Sequence, residues 1–205
     1  MSIVTYNNRS IANISAIPGA AKSLIHIKTL TASSSSTLSF VDGSDDVVLD
    51  STYPIYMFKY IGIHPATDGA QFQVGFRDGG TDYDATKTST FFKSQNREDG
   101  AGGSIGYETS HDLAQGTGFQ NLTQDIGNDN DQGISGELFI FNPSSTTFVK
   151  HFIAKSNSSA SNDRSFNDFI AGYCNVTAAI DAVQFKMSSG NMDAGTIKLY
   201  GLKDS

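Results

Sequence analysis

The chain has no tryptophan, one cysteine and four prolines among 205 residues, and only 17% of its residues are Asp, Glu, Lys or Arg. Each shortage removes a class of explanation. A single thiol, Cys174, cannot form an intramolecular disulfide, so packing and hydrogen bonds must hold the fold. No stretch approaches the roughly 18 consecutive apolar residues of a membrane span. The opening Met1-Ser2-Ile3-Val4-Thr5-Tyr6-Asn7-Asn8-Arg9 lacks the apolar core of a secretory leader. The expectation is a soluble protein made without a signal peptide and with no membrane partner. Positive charge is scarce as well: 14 Lys and Arg stand against 21 Asp and Glu, a net charge of -7. A field of that sign repels phosphate backbones, and no basic run offsets it, so nucleic acid is not an expected partner.

Large apolar side chains, by contrast, are plentiful. With 14 Phe, 8 Tyr and 38% hydrophobic residues, the chain carries enough to build a core, and its length suits one domain. Its polar remainder is mostly Ser, Thr, Asn and Gly, which favours strands and turns over helices. Five Asn-x-Ser/Thr sequons, at Asn8, Asn13, Asn121, Asn157 and Asn175, are what chance gives in such a composition.

Hydrophobic periodicity predicts about ten strands. Residues 1–22 form an extended arm through Ile11, Ile14 and Ile17, closed by Pro18-Gly19. Residues 23–205 form the domain. Leu24 to Leu30 and Leu38 to Phe40 are β-branched or alternating, with a Ser-rich link between them. Ile55 to Ile61 is apolar at nearly every position, which fits a strand covered on both faces, in a sandwich or at a subunit contact. Phe72 to Phe76, Thr90 to Lys93, Gly136 to Phe141, Thr147 to Ile153, Asn167 to Tyr173, Asp181 to Met187 and Thr196 to Tyr200 complete the set. The short Asn142-Pro143-Ser144-Ser145 link makes a hairpin of two of them. Gly- and Ser-rich residues 94–118 read as a mobile or recognition loop. The fold expected is all-β: an antiparallel β-sandwich, a jelly roll of about eight to ten strands.

Four groups of residues invite a chemical reading. Gly102-Gly103-Ser104-Ile105-Gly106 matches the G-x-S-x-G of hydrolases, but a nucleophile elbow needs a strand before it and a helix after it, and His111-Asp112 follows in the wrong order. Ser104 as a nucleophile is therefore a remote alternative, and no catalytic residue is assigned. Asp125, Asp129 and Asp131 offer oxygen ligands, yet the calcium-loop pattern fails at its Gly and terminal Glu positions, and an Asn/Asp-rich hairpin loop accounts for them. His26, His64, His111 and His151 have no ligand spacing, so neither a metal nor a cofactor is expected. Tyr53, Tyr56, Tyr83, Tyr107, Phe91 and Phe92 could offer faces to a sugar, with Asn96, Arg97 and Asp99 as hydrogen-bonding partners. Aromatics at strand positions are more often core or subunit contact. Cys174, following Ala171-Gly172-Tyr173, reads as a buried inert thiol.

Thr88-Ser89-Thr90-Phe91-Phe92, the run from Gly127 through Asn142-Pro143-Ser144-Ser145 to Phe152, and Ile180 to Gly201 resemble small virion-associated proteins of tailed bacteriophages, aquatic ones especially. The resemblance spans residues 23 to 202. It implies a non-enzymatic structural role on the virion surface, as a capsid decoration protein or a tail-fibre component. It carries no catalytic residue. The partners it implies are further copies of the chain, as a homotrimer, and the capsid or tail proteins of the same virion. In this reading Ile55 to Ile61 sits at a three-fold contact and the arm ties the domain to the particle. A carbohydrate-binding module that recognises host-surface glycan is the alternative.

Overall fold

The computed structural model describes residues 23–203, so the arm with Ile11, Ile14 and Ile17 lies outside the described residues. Twelve strands form: β1 (Leu24–Thr31), β2 (Thr37–Val41), β3 (Ile55–Pro65), β4 (Phe72–Arg77), β5 (Lys87–Arg97), β6 (Gly103–Tyr107), β7 (Gln120–Asn121), β8 (Ile134–Phe141), β9 (Lys150–Ala160), β10 (Arg164–Cys174), β11 (Ala182–Met187) and β12 (Met192–Leu202). No helix occurs among the described residues. The eight-stranded sheet runs β1-β12-β3-β8-β9-β10-β5-β6 and the four-stranded sheet β2-β11-β4-β7. Neighbouring strands in both sheets are antiparallel. The two sheets pack as a sandwich, with an order compatible with a jelly roll.

Alternation decides which side chains meet between the sheets. On β3, Tyr56, Phe58 and Tyr60 point inward and are fully buried. Phe40, Phe72 and Phe185 answer them from the small sheet. Phe72 and Phe185 stack at 5.5 Å, and Phe40 meets Phe58 edge-on at 5.2 Å. Parity also draws unusual residues inside. Lys150 of β9, Cys174 of β10 and Lys87 of β5 are register partners in one inward row, and all three are fully buried. Where β3 and β12 both bulge, Gly195 takes a φ of +108°, and a Cβ there would lie 2.5 Å from the Gly62 carbonyl oxygen. Only glycine fits that approach.

Ten of the strands fall where periodicity puts them. The other two, β6 and β7, lie in the Gly- and Ser-rich stretch. Residues 94–118 are therefore not one loop: β5 continues to Arg97, the chain turns through 98–102, and β6 returns as the edge of the large sheet. Backbone pairing needs no large side chains, and Gly103-Ser104-Ile105-Gly106-Tyr107 pairs with β5 despite its composition. Strands β9 and β10 are also longer than periodicity suggests. They pair residue for residue from Lys150 opposite Cys174 to Ala160 opposite Arg164.

Candidate interaction face

One side of the eight-stranded sheet covers the small sheet, and the other is left uncovered. Cross-strand register sets Tyr200, Met57, Phe139, Ile153, Ala171 and Thr90 in one outward row. The next holds Lys59, Glu137, Lys155, Phe169, Phe92 and Tyr107. Six exposed large hydrophobic residues stand on strands, namely Leu24, Ile61, Phe92, Ile105, Tyr107 and Ile153, and all six point to this side. Ile105 is 75% exposed and Ile153 50%. Isolated exposed hydrophobics are ordinary; their convergence on one face marks an interaction surface.

The relief of the face follows from side-chain size. Short Ala171 and Thr90 lie among bulkier neighbours, leaving a hollow of about 380 Å³ walled by Phe92, Phe139, Ile153 and Phe169. It shares Thr90, Ile153 and Ala171 with a second hollow of about 330 Å³ beside His151 and Tyr173. Phe92 and Phe169 stack at 4.9 Å, and the Lys155 ammonium sits 5.4 Å from the Phe169 ring centre. Lys59 and Glu137 approach to 3.9 Å in the open, a pair of little energetic weight. At the margin, β6 is an uncharged edge strand exposed along its whole length, without the bulge or lysine that ordinarily blunts an edge. The opposite edge, β1, has both: a register shift between His26 and Lys28, and Lys28 itself.

The residues singled out from the sequence are dispersed. Ser104 lies on β6, where its hydroxyl accepts a bond from the Gln95 amide at 2.8 Å, rather than at a strand-to-helix turn. His111 packs on Phe91 inside the fold, and Asp112 accepts the Tyr107 hydroxyl. Of the six rings considered for sugar binding, Tyr56 and Phe91 are fully buried, Tyr53 packs edge-on against Tyr56, and Tyr83 sits beside Phe119. Phe92 and Tyr107 alone are exposed, on the outer face. Arg97 pairs with Asp99 in the β5–β6 turn. Asp129 and Asp131 stand in an exposed turn, whereas Asp125 is turned inward and its Oδ1 is buried. Among the described residues no group of three or more His, Cys, Asp or Glu is placed to hold a metal. Cys174 is buried, which pushes its thiol up to about 12.

Inside the sandwich near the β6 edge, on β5 and β10, lies a cluster that the sequence reading did not include. Lys93 of β5 gives 2.8 Å and 2.9 Å bonds to Glu108 and Gln124. The ion pair, with a hydrogen bond from Ser110, holds Glu108 at about 2. Asp168 of β10 is fully buried and accepts only the Gln124 N–H, at 3.0 Å, and burial pushes it up to about 7. The two carboxyls act in opposite directions. Glu108 is lowered, so its contribution, roughly 2 kcal/mol, is present above pH 4.5 and lost as pH falls toward 2. Asp168 is raised, so the folded state binds the extra proton and stability declines as pH climbs from about 4 to about 7, by roughly 3 kcal/mol. Urea unfolding across pH 3 to 8 is expected to show maximal stability near pH 4 to 5. A steady rise to pH 8 would mean that Asp168 is ionised in the fold.

No family model, curated protein or solved structure matches the chain.

Proposed function

We propose that this chain is a non-enzymatic structural protein of a bacteriophage particle, a surface-exposed decoration protein or tail-fibre component, and that it assembles through the outer face of its large sheet. The observation that carries the reading is that, among the described residues, the exposed large hydrophobic residues borne on strands converge on that one face. A catalytic site requires a concave set of polar groups held at reacting distance. The two hollows of the outer face present mainly apolar surface, from Phe, Ile, Ala and Thr. Such a surface gains free energy by burial against protein, and in a trimer each copy presents it to the next. The resemblance to virion-associated proteins supplies the setting, and in the same proposal residues 1–22, read from their sequence as an extended arm, are the tether to the capsid or tail.

The test is made on particles of the phage that encodes the chain. After gradient purification, mass spectrometry is expected to find the chain at a fixed copy number relative to the major capsid protein. Immunogold labelling is expected to mark it on intact particles. Its absence from purified particles would overturn the proposal.

A further inference from the structure

Residues 108–126 close the interior over β5 and β10 with little regular structure, only the two-residue β7, yet His111, Gln120, Leu122 and Ile126 are buried. Much of what fastens them is polar. Ser89 of β5 donates to Gln120 at 2.6 Å and accepts the Leu113 N–H at 2.9 Å. Ser158 of β9 donates to the Asp125 carbonyl at 3.0 Å. Lys93 holds Glu108 and Gln124, and Asp168 accepts the Gln124 N–H. Asp168 makes the last of these bonds, opposite Lys93.

Its surroundings are unbalanced in charge. Lys93 faces it from β5 as its register partner. From β9 it meets Ser156, whose hydroxyl is bonded to the Tyr60 hydroxyl of β3 at 2.6 Å. The covering segment brings Glu108, His111 and Asp125. Arg164, on β10 itself, spends one guanidinium N–H on Gln95, and its Nε has no partner. Lys93, already committed to Glu108, is thus the cation facing Asp168, and Arg164 acts on Asp125, so three carboxyls share two cations. Asp168 Oδ1 and Asp125 Oδ1 are buried without a partner. An ionised carboxylate in that position lacks the hydrogen bonds and counter-charge that burial demands, whereas the neutral acid fits.

We propose that Asp168 operates a proton latch: while it is protonated, residues 108–126 lie fastened over the end of the sandwich, and its ionisation sets a further negative charge beside Asp125 and Glu108 and loosens the segment. Burial places the transition near neutral pH. His111 is held below its ordinary value by burial, so its titration lies on the acid side of this transition. The segment leads directly from β6, so loosening it frees one margin of the outer face. The latch is independent of what that face binds.

Hydrogen exchange of the full chain, followed by mass spectrometry from pH 5.5 to 8.5 and corrected for intrinsic rates, tests the proposal. Protection of peptides within 108–126 is expected to fall at least tenfold with a midpoint near pH 7, while β3 and β12 hold constant. In Asp168→Asn the fall is expected to vanish. Constant protection in the wild type, or an equal fall in Asp168→Asn, overturns the latch. Should that variant not fold, Asp125→Asn removes the neighbouring charge and is expected to move the midpoint to lower pH. An unmoved or raised midpoint overturns the latch as well.

Discussion

Lys150→Met is expected to lower the unfolding free energy by about 3 kcal/mol or more, read in urea as a fall in midpoint without a change in slope. Lys150 opens β9 with its side chain inward and fully buried. It has no ion-pair partner among the described residues. Its ammonium donates instead to three backbone carbonyls: Ser145 at 3.0 Å, Phe148 at 3.3 Å and Val176 at 2.8 Å. Two of these belong to the β8–β9 connection and one to the turn after β10, so a single side chain holds two connections at one end of the sandwich. Burial favours the neutral amine and pulls the Lys150 pKa down, and the three carbonyl dipoles compensate for the water lost by the charge. Methionine keeps the length and most of the volume of the stem, so the change isolates the polar interactions. The carbonyls lose a charged donor, and each buried acceptor left unpaired costs about 1 to 3 kcal/mol. A loss below about 1 kcal/mol would show that the carbonyls find other donors.

Lys150 also shows where the sequence was legible and where it misled. The hydrophobic alternation on β3, β4, β8, β11 and β12 is plain, and those strands form where periodicity puts them. The double-sided apolar run from Ile55 to Ile61 is visible too. Its inward half became core, and of its outward residues Ile61 stands exposed on the interaction face while Met57 is buried. Polar residues at inward positions broke the pattern. Ser156 and Ser158 share the parity of Phe152 and Ala154 but carry no apolar signal, so hydrophobic periodicity ends at Ile153 while β9 runs on to Ala160. Lys150 and Lys87 share the parity of their buried neighbours Phe152 and Phe91, and Asp168 lies between Phe166 and Ile170. Parity places these charges in the interior, although charged residues ordinarily lie at the surface. Parity prevailed because each found local hydrogen bonds: carbonyls for the lysines, the Gln124 N–H for Asp168. Strand β6 gave no signal, because an edge strand of Gly, Ser and Ile needs only backbone pairing to form. The outer face as a whole was unreadable, since it depends on the order of eight strands and periodicity fixes only which residues alternate within each.

Ile153→Asp is expected to abolish self-association and particle docking while leaving the fold intact. Ile153 lies between Phe139 and Ala171 in the middle of the outward row and helps wall both hollows. Half exposed in the single chain, it contributes little to folding, and a carboxylate there can stay hydrated with Lys155 two residues along the same face. Unfolding free energy is expected to change by less than about 0.5 kcal/mol, as for surface substitutions generally. Association is a different matter. A carboxylate trapped between apolar surfaces loses its water without gaining a partner, and at the centre of an interface a penalty of about 3 kcal/mol or more raises Kd more than a hundredfold. Sedimentation at micromolar protein is expected to show an oligomer for the wild type and a monomer for Ile153→Asp. Thr37→Asp, exposed on β2 of the other sheet, provides the control and is expected to keep the wild-type state. The contrast between the two variants locates the interface, because both add one negative charge to a chain that already carries a net -7. If Ile153→Asp sediments and docks like Thr37→Asp, the outer face is not where the chain assembles.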